Sequence, residues 1–210
     1  MLVLGLVFAA IPPALAAHDT NPSEPVRSYT YRLDGVANNA PGATGTVRLT
    51  ALPNGKIQVK IRAEGLAPNL PHAQHLHGIL DETGTRFVPG SCPTIARDQN
   101  GDGLVDTLEG VGDYGLVRQS LTTTGDTSPS SALAVDRFPV ADDSGSLSYT
   151  RTFTPTDPMV WEGLGALEVV IHGVDLNSSG GYDFEAGVSP LNPALPLEAT
   201  LPALCGGPQG

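Results

Sequence analysis

Three of the five histidines in the chain lie within six positions, in the stretch PHAQHLHG that runs from Pro71 to Gly78. On a β-strand, residues two apart point to the same face, so His75 and His77 could bind one ion together. Imidazole pairs suit copper or zinc better than calcium or magnesium. A further ligand should come from a distant strand, and His172 ends the apolar run EVVIH. These residues predict a metal site; the alternative is a pair of surface or core histidines.

A second set of candidate ligands lies in DQNGDGLVDTLE, residues 98–109. Its oxygen-bearing residues and its glycine at the sixth position match the spacing of an EF-hand calcium loop. The predicted calcium ligands are Asp98, Asn100, Asp102, Leu104, Asp106 and Glu109. Because the flanking segments are too short for two long helices, we expect a calcium-pinned loop in a β protein and not a switching helix pair. A solvated acidic loop is the alternative.

Another acidic stretch, DLNSSGGYDFEAG from Asp175, departs from the calcium-loop spacing. We interpret it as ordinary turn chemistry, since Asp, Asn, Ser and Gly are common turn residues. The sequence shows no Ser-His-Asp, Cys-His or phosphate-loop arrangement above chance.

Eight segments have strand-like alternation or apolar runs bounded by turn residues. They are SYTYRLDGV, TGTVRLTAL, GKIQVKIRAEGL, AQHLHGIL, GLVRQSLTT, GSLSYTRTFT, ALEVVIHGVDL and LEATLPAL. The first three predict a meander, because PNG between the second and third is a hairpin turn signal. Helical turns are expected only around 131–141 and 157–163. The predicted fold class is all-β, a Greek-key antiparallel sandwich or flattened barrel of about eight strands with long loops.

The N-terminal stretch MLVLGLVFAAIPPALAA, residues 1–17, is typical of a cleaved signal peptide because it is apolar and ends in small residues. A membrane anchor is the alternative, although the run is shorter than the ~20 residues that span a bilayer. Residues 18–27 are predicted to be a flexible N-terminus. The sequence therefore predicts a secreted or periplasmic protein with one domain over 28–206.

Charge and cysteine content narrow the possible partners. The chain has 210 residues, 22 acidic against 11 basic, and a net charge of −11. This balance argues against a nucleic-acid or anionic-membrane partner, since phosphate groups would be repelled.

In an oxidising compartment the two cysteines, Cys92 and Cys205, are expected to form a disulfide. Two buried free thiols are the alternative.

Several of these motifs together resemble the copper/zinc superoxide dismutases. The motifs are GLAPNLPHAQHLHG, VVIH, GSCPT, VGDYGLV and ALCGG, within roughly 28–206. The resemblance implies that His75, His77 and His172 bind copper, while His72 is structural and bonds to backbone. It also implies the disulfide between the two cysteines. In the family the position of Asp113 holds an aspartate that binds zinc.

The chain departs from this family at two places. Between Cys92 and Asp113, where the family has one bridging and two zinc-binding histidines, there is no histidine. We therefore expect no zinc site of the family's kind, and we expect the calcium loop 98–109 in place of that zinc site. Asp113 is then expected to have a structural role. Pro202 stands where the family has the arginine that guides superoxide to copper. The chain therefore lacks two features that the family uses for dismutase activity, the bridging histidine and the guiding arginine.

Four functions remain open from the sequence. The first is a secreted copper protein that disproportionates superoxide, and the second is a copper carrier or store without turnover. The third is a structural or adhesion module of the chordin-domain kind, which also resembles dismutases in its strands. In the fourth, cleavage after Ala17 would leave His18 with a free amine that chelates copper through two nitrogens.

Overall fold

The computed structural model of the chain describes residues 26–208, and nine β-strands account for most of its regular structure. The strands are β1 (Arg27–Gly35), β2 (Thr44–Ala51), β3 (Ile57–Glu64), β4 (Gln74–Leu80), β5 (Phe87–Val88), β6 (Leu116–Ser120), β7 (Leu147–Phe153), β8 (Glu168–His172) and β9 (Pro202–Gly206). Three short helices are α1 (Thr107–Tyr114), α2 (Pro158–Glu162) and α3 (Leu197–Thr200). This composition confirms the predicted all-β class.

The strands pair in one curled antiparallel sheet. Their order is β5-β4-β8-β9-β1-β2-β3-β7, and β6 also pairs with β4. The predicted meander of β1, β2 and β3 is confirmed, each strand pairing antiparallel with the next. The pairing of β9 with both β1 and β8 joins the two ends of the domain. The sheet therefore forms a half-barrel that is closed around its core by loops.

Period-two alternation produces this core. In β3, Ile57, Val59 and Ile61 are buried while the residues between them face outward. The same alternation in β2 and β7 places Leu49 and Tyr149 in the same buried cluster. Burying such side chains removes apolar area from water, at roughly 25 cal/mol per Å². One face of the sheet is thereby committed to the core, which fixes the register of every paired strand.

Three elements differ from the sequence-based expectations. The segment LEATLPAL is not one strand, because Leu197–Thr200 is helical and β9 begins only at Pro202. The eight-residue helix α1 was also not predicted, because its sequence has no long apolar period. It begins after the N-cap Asp106, whose carboxylate accepts N–H bonds from Leu108 and Glu109. The two-residue strand β5 was not predicted. Helical turns within 131–141 and 157–163 do occur.

The strands β4 and β8 position the candidate metal ligands. In their antiparallel pairing, His75 lies opposite Val170 and His77 lies opposite Glu168. Directly opposed residues of antiparallel strands share a face, so Glu168, Val170 and His172 follow one another beside the two β4 histidines. The pairing of β4 with β6 shifts register between Leu76 and His77, where Arg118 of β6 has no partner in the register.

The predicted signal peptide, residues 1–17, lies outside the described residues. So does most of the predicted flexible segment 18–27, of which Val26 and Arg27 are described. Arg27 is already the first residue of β1, and its guanidinium donates to the carbonyl oxygens of Trp161 and Glu162. Between residues 26 and 208, no helix has the length and apolarity needed to cross a bilayer.

Candidate metal centre

Three histidines from two distant parts of the chain meet on one face of the sheet. The ring centroids of His75 and His172 are 5.2 Å apart, those of His75 and His77 are 5.7 Å apart, and those of His77 and His172 are 6.1 Å apart. One ring nitrogen from each lies within 4.8 Å of those of the other two. All three residues are buried, with exposed fractions of 4%, 1% and 4% for His75, His77 and His172.

Backbone carbonyls fix the tautomer of each of these histidines. His75 donates from Nε2 to the carbonyl of Ala132 (3.1 Å), and His77 donates from Nδ1 to that of Gly115 (2.9 Å). His172 donates from Nδ1 to the carbonyl of Thr200 (2.9 Å). Because a carbonyl oxygen can only accept, the proton of each neutral ring lies on the bonded nitrogen. The other nitrogen keeps its lone pair.

Those remaining nitrogens have no partner. Nδ1 of His75, Nε2 of His77 and Nε2 of His172 are buried and make no hydrogen bond. Buried polar atoms are normally satisfied, and three convergent orphaned lone pairs therefore need an explanation. A bound metal ion would satisfy all three at once. The backbone acceptors on the opposite ring nitrogens are the supporting contacts that metal-bound histidines usually have.

Electrostatics keeps these imidazoles neutral. Burial, and then the neighbouring ring of His172, lower the pKa of His77 to about 3. Burial lowers the pKa of His172 to about 4, and burial together with the other two rings holds the pKa of His75 well below its usual value. A metal ion binds the neutral form of imidazole, and these three rings are already neutral at neutral pH. Metal binding there would therefore release few or no protons.

His72 lies apart from this cluster, although it belongs to the same sequence stretch. It is fully buried, and its ring nitrogens lie 3.0 Å from the carbonyl oxygens of His172 and Ala67. Burial lowers its pKa. Its ring links the loop before β4 to the end of β8, a position that corresponds to the structural role expected from the sequence.

The loop 98–109 lies next to the histidines. Tyr114, at the end of α1, packs its ring 4.6 Å from that of His77. The hydroxyl of Thr107, at the start of α1, donates to the carbonyl of Thr200 (2.6 Å), which is also the acceptor of His172. The loop is therefore coupled to two of the three candidate ligands through short contacts.

Within the loop, the side chains expected to bind calcium accept hydrogen bonds from the loop's own backbone. Asp98 accepts from the N–H groups of Gly101 and Gly103, and Gly103 has a left-handed φ of 86°. Glu109 reaches back across the loop, accepting from the N–H of Gln99 (2.8 Å) and of Asp106 (2.9 Å). Asp98 and Glu109, the first and last predicted ligands, thus both face into the loop. The carboxylates of the loop do not form a convergent cluster like that of the histidines.

Asp113, which the sequence analysis assigned a structural role, forms an ion pair with Arg97 through both of its carboxylate oxygens. Arg97 directly precedes the loop, so the pair ties the start of the loop to the end of α1. The carboxylate raises the pKa of Arg97 above its usual value.

The predicted disulfide is confirmed. Cys92 and Cys205 are bonded, with their Cα atoms 5.7 Å apart, and they connect the segment before the loop to β9. Cys205 packs against Val170 in a small apolar cluster that also includes Val105 and Tyr114. The bond therefore holds the segment before the loop against β9, which pairs with β8, the strand that carries His172.

Sequence reasoning missed Glu168. It is 2% exposed, its Oε1 has no hydrogen-bond partner, and a carboxylate oxygen lies within 4.8 Å of the sulfur atoms of the disulfide. Burial raises its pKa to about 7, while an N–H bond from Gly90 acts in the opposite direction. The alternation of Glu168, Val170 and His172 along β8 was the signal that could have found it.

We predict that Glu168 makes stability depend on pH. With a folded-state pKa of about 7 against an ordinary value of 4.5, the folded state holds a proton that the unfolded state releases between those values. This carboxyl group alone should therefore lower stability as pH rises through the window, while the buried histidines, whose pKa values are lowered, raise stability over the same range. Glu168→Gln should accordingly make stability rise more steeply with pH. Urea unfolding across the window measures this, with Glu64→Gln on the exposed side of β3 as control. Equal pH profiles for the wild type and Glu168→Gln would contradict the prediction.

A small apolar space adjoins the three histidines. It has a volume of about 40 Å³, and Leu133, Val135 and Leu191 are among its walls. Phe138 packs edge-on against His75 with ring centroids 5.4 Å apart. No lysine or arginine lines this space. The lining therefore surrounds the histidine cluster largely with apolar side chains and provides no positive charge to attract an anion.

Comparisons with known proteins found matches among solved structures but not among family models or curated proteins. No protein-family model and no curated protein matches the chain. Among solved structures, superoxide dismutase 5 of Candida albicans in its Cu(II) form matches over 86% of this chain and 91% of that chain, with 13% identity and a TM-score of 0.40. The case for a metal centre in this chain rests on its own histidine geometry.

Proposed function

We propose that this protein is a copper-binding protein of the superoxide dismutase-like kind, with His75, His77 and His172 as the copper ligands. The observation that carries the proposal is the convergence of three buried, neutral imidazole nitrogens that have no other partner. Imidazole sites of this kind suit copper, which would supply one-electron redox chemistry when bound. The order of the histidine motifs and the disulfide along the chain also supports the proposal.

Disproportionation of superoxide is the reaction that the resemblance implies. The residues of this chain would hold and orient the metal and exclude water from it. A non-catalytic copper store or carrier is the second candidate. It is favoured by the apolar space beside the histidines, which no lysine or arginine lines, and by Pro202 at the place of the guiding arginine.

A superoxide assay separates these two functions. Purified protein loaded with Cu²⁺ is compared with the same concentration of free copper and with His75→Ala. An enzyme should exceed both references. A rate no higher than that of His75→Ala, from protein that retains one copper per chain, would establish the store or carrier. A chain that takes up zinc in preference to copper in a competition experiment would refute the copper proposal itself.

We also propose that the loop 98–109 binds Ca²⁺ and orders the region beside the histidines. The ligands would be the side chains of Asp98, Asn100, Asp102, Asp106 and Glu109 and the carbonyl of Leu104. Their spacing supports this assignment, as does the position of Glu109 across the start of the loop. The ion would have a structural role, since α1 is one short helix and not half of a switching pair.

Glu109→Gln is predicted to weaken Ca²⁺ binding at this loop by at least about tenfold, because the last ligand of such loops normally gives two carboxylate oxygens. Calcium titration and thermal unfolding with and without chelator measure the effect. Glu82→Gln, an exposed glutamate between β4 and β5, is the control. A wild-type melting temperature that ignores both Ca²⁺ and chelator would count against the site.

Export from the cytosol is a further part of the proposed function. It is supported by the signal-like residues 1–17 and by the disulfide, since disulfides persist mainly in oxidising compartments. N-terminal sequencing of the exported protein tests this. A mature chain that begins at His18 would keep open the second copper site predicted for its free amine, and an uncleaved chain would exclude that site.

A further inference from the structure

We infer that the protein has a second Ca²⁺ site, formed by the loop 175–185 together with Glu198 of α3. From the sequence we expect ordinary turn chemistry in this loop, taking it to lack the glycine and glutamate spacing of a calcium loop. No glutamate stands at the twelfth position from Asp175, but Gly180 does stand at the sixth, so the glycine part of that expectation is wrong. In the structure, a glutamate from elsewhere in the chain occupies the equivalent place. The inference is independent of the copper proposal.

The start of this loop repeats the conformation of the loop 98–109. The two carboxylate oxygens of Asp175 accept from the N–H groups of Ser179 (3.0 Å) and Gly180 (2.9 Å). Gly180 is the sixth residue from Asp175 and has a φ of 83°. Gly103 is the sixth residue from Asp98, has a φ of 86°, and donates its N–H to that aspartate.

Glu198 has the same relation to its loop that Glu109 has to the loop 98–109. Its two oxygens accept from the N–H of Leu176 (2.8 Å), the second loop residue, and of Asp183 (2.8 Å), the ninth. Glu109 accepts from the second and ninth residues of its own loop, at 2.8 Å and 2.9 Å. In the loop 98–109 the final carboxylate, Glu109, belongs to the loop itself. In the loop 175–185 the corresponding carboxylate, Glu198, comes from α3.

The burial of Glu198 independently indicates a cation. Glu198 is 1% exposed, and no ion pair within residues 26–208 joins it to a lysine or arginine. All eleven lysines and arginines of the chain lie in that range. The two oxygens of Glu198 accept backbone N–H bonds, but no positive charge compensates them, and burying a carboxylate without such a charge costs several kcal/mol. Its carboxylate is directed into the loop, so a cation bound there would lie beside this charge.

Further oxygen-bearing side chains lie on the same loop, although its carboxylates do not form a convergent cluster like that of the histidines. Asn177 donates from Nδ2 to the carboxylates of Asp183 (2.9 Å) and Glu185 (3.0 Å), which brings these three side chains together. With Asp175 and Glu198 they provide four carboxylates and one amide oxygen. Such a set of hard oxygen donors without nitrogen or sulfur is typical of Ca²⁺, whose flexible coordination tolerates ligands from separate segments.

This site would stabilise the backbone around the histidines. Glu198 is in α3, and the carbonyl of Thr200 at the end of α3 is the acceptor for His172. On the loop itself, Tyr182 donates its hydroxyl to the carbonyl of Pro71 (3.1 Å), directly before His72. The two calcium loops would therefore support the histidine cluster from both ends of α3.

Calcium titration of the metal-free protein by calorimetry tests the inference. The wild type should bind two Ca²⁺ per chain, and Glu198→Gln should weaken one site by at least about tenfold, the lower end of what losing even a supporting contact costs a metal site. Asp183→Asn should do the same, and it serves if Glu198→Gln fails to fold. The control is Asp142→Asn, because Asp142 accepts turn N–H bonds from Ser144 and Ser146 in a turn outside both loops.

The two calcium sites can be distinguished in the same experiment. Glu109→Gln should remove one site and leave the one that depends on Glu198. A single wild-type site that Glu109→Gln abolishes would overturn the second site without affecting the first. Two wild-type sites that both survive Glu198→Gln and Asp183→Asn would overturn it as well. Tb³⁺ offers a local readout, since Tyr182 in the loop should sensitise its emission and Asp183→Asn should remove that signal.

Discussion

Replacing His75 or His172 by alanine should reduce bound copper from about one ion per chain to almost none. Each variant removes one of three convergent ring nitrogens, which leaves two imidazoles in a buried apolar site. Loss of a supporting contact alone typically costs a metal site 10–100-fold in affinity, so we expect loss of a ligand to cost roughly 100-fold or more. Equilibrium dialysis with Cu²⁺, followed by elemental analysis, measures this directly.

His72→Gln is the matched control because His72 shares the sequence motif but does not belong to the cluster. Its ring contacts only backbone oxygens and Tyr182, so the variant should retain copper while its free energy of unfolding falls by about 1–3 kcal/mol. Copper that stays with His75→Ala but leaves with His72→Gln would show that the ligands have been assigned wrongly.

Much of the fold could be predicted because period-two patterns are local. The alternation in β1, β2 and β3, together with the PNG turn, determines a meander without reference to the rest of the chain. The pairing of Cys92 with Cys205 followed from there being two cysteines in a chain expected to be exported. The convergence of His172 with the β4 histidines depends on the pairing of β4 with β8, which no local pattern specifies; it was expected through resemblance.

The elements that were missed depend on contacts between distant segments. Residues 197–200 look like part of a strand, but Glu198 instead accepts two N–H groups of the loop 175–185, and the segment turns as a short helix. Glu168 carries a carboxyl group on the buried face that it shares with Val170 and His172, and only the folded structure shows that its Oε1 has no partner. Both residues are buried carboxyl groups, and local sequence patterns do not show what will cover or neutralise such groups.

Removing the disulfide should be the most destabilising change that leaves the histidine cluster's side chains intact. The bond closes a loop across a sequence separation of 113 residues, for which the chain-entropy model gives about 4–5 kcal/mol of stability. In the double variant Cys92→Ala with Cys205→Ala, the free energy of unfolding from urea denaturation should fall by about that amount.

The physical reason lies in what the bond joins. Cys205 belongs to β9 beside Val170, while Cys92 leads into the loop 98–109 and α1, whose Tyr114 packs against His77. Without the bond, that loop is held to the sheet by side-chain hydrogen bonds such as those of Asn39 and Thr107 and by a small apolar cluster. Hydrogen exchange should therefore rise first in α1, before the meander of β1, β2 and β3. Wild-type protein treated with a reductant should behave like the double variant. A loss below about 1 kcal/mol, or uniform exchange across the sheet and α1, would mean that packing alone holds the loop in place.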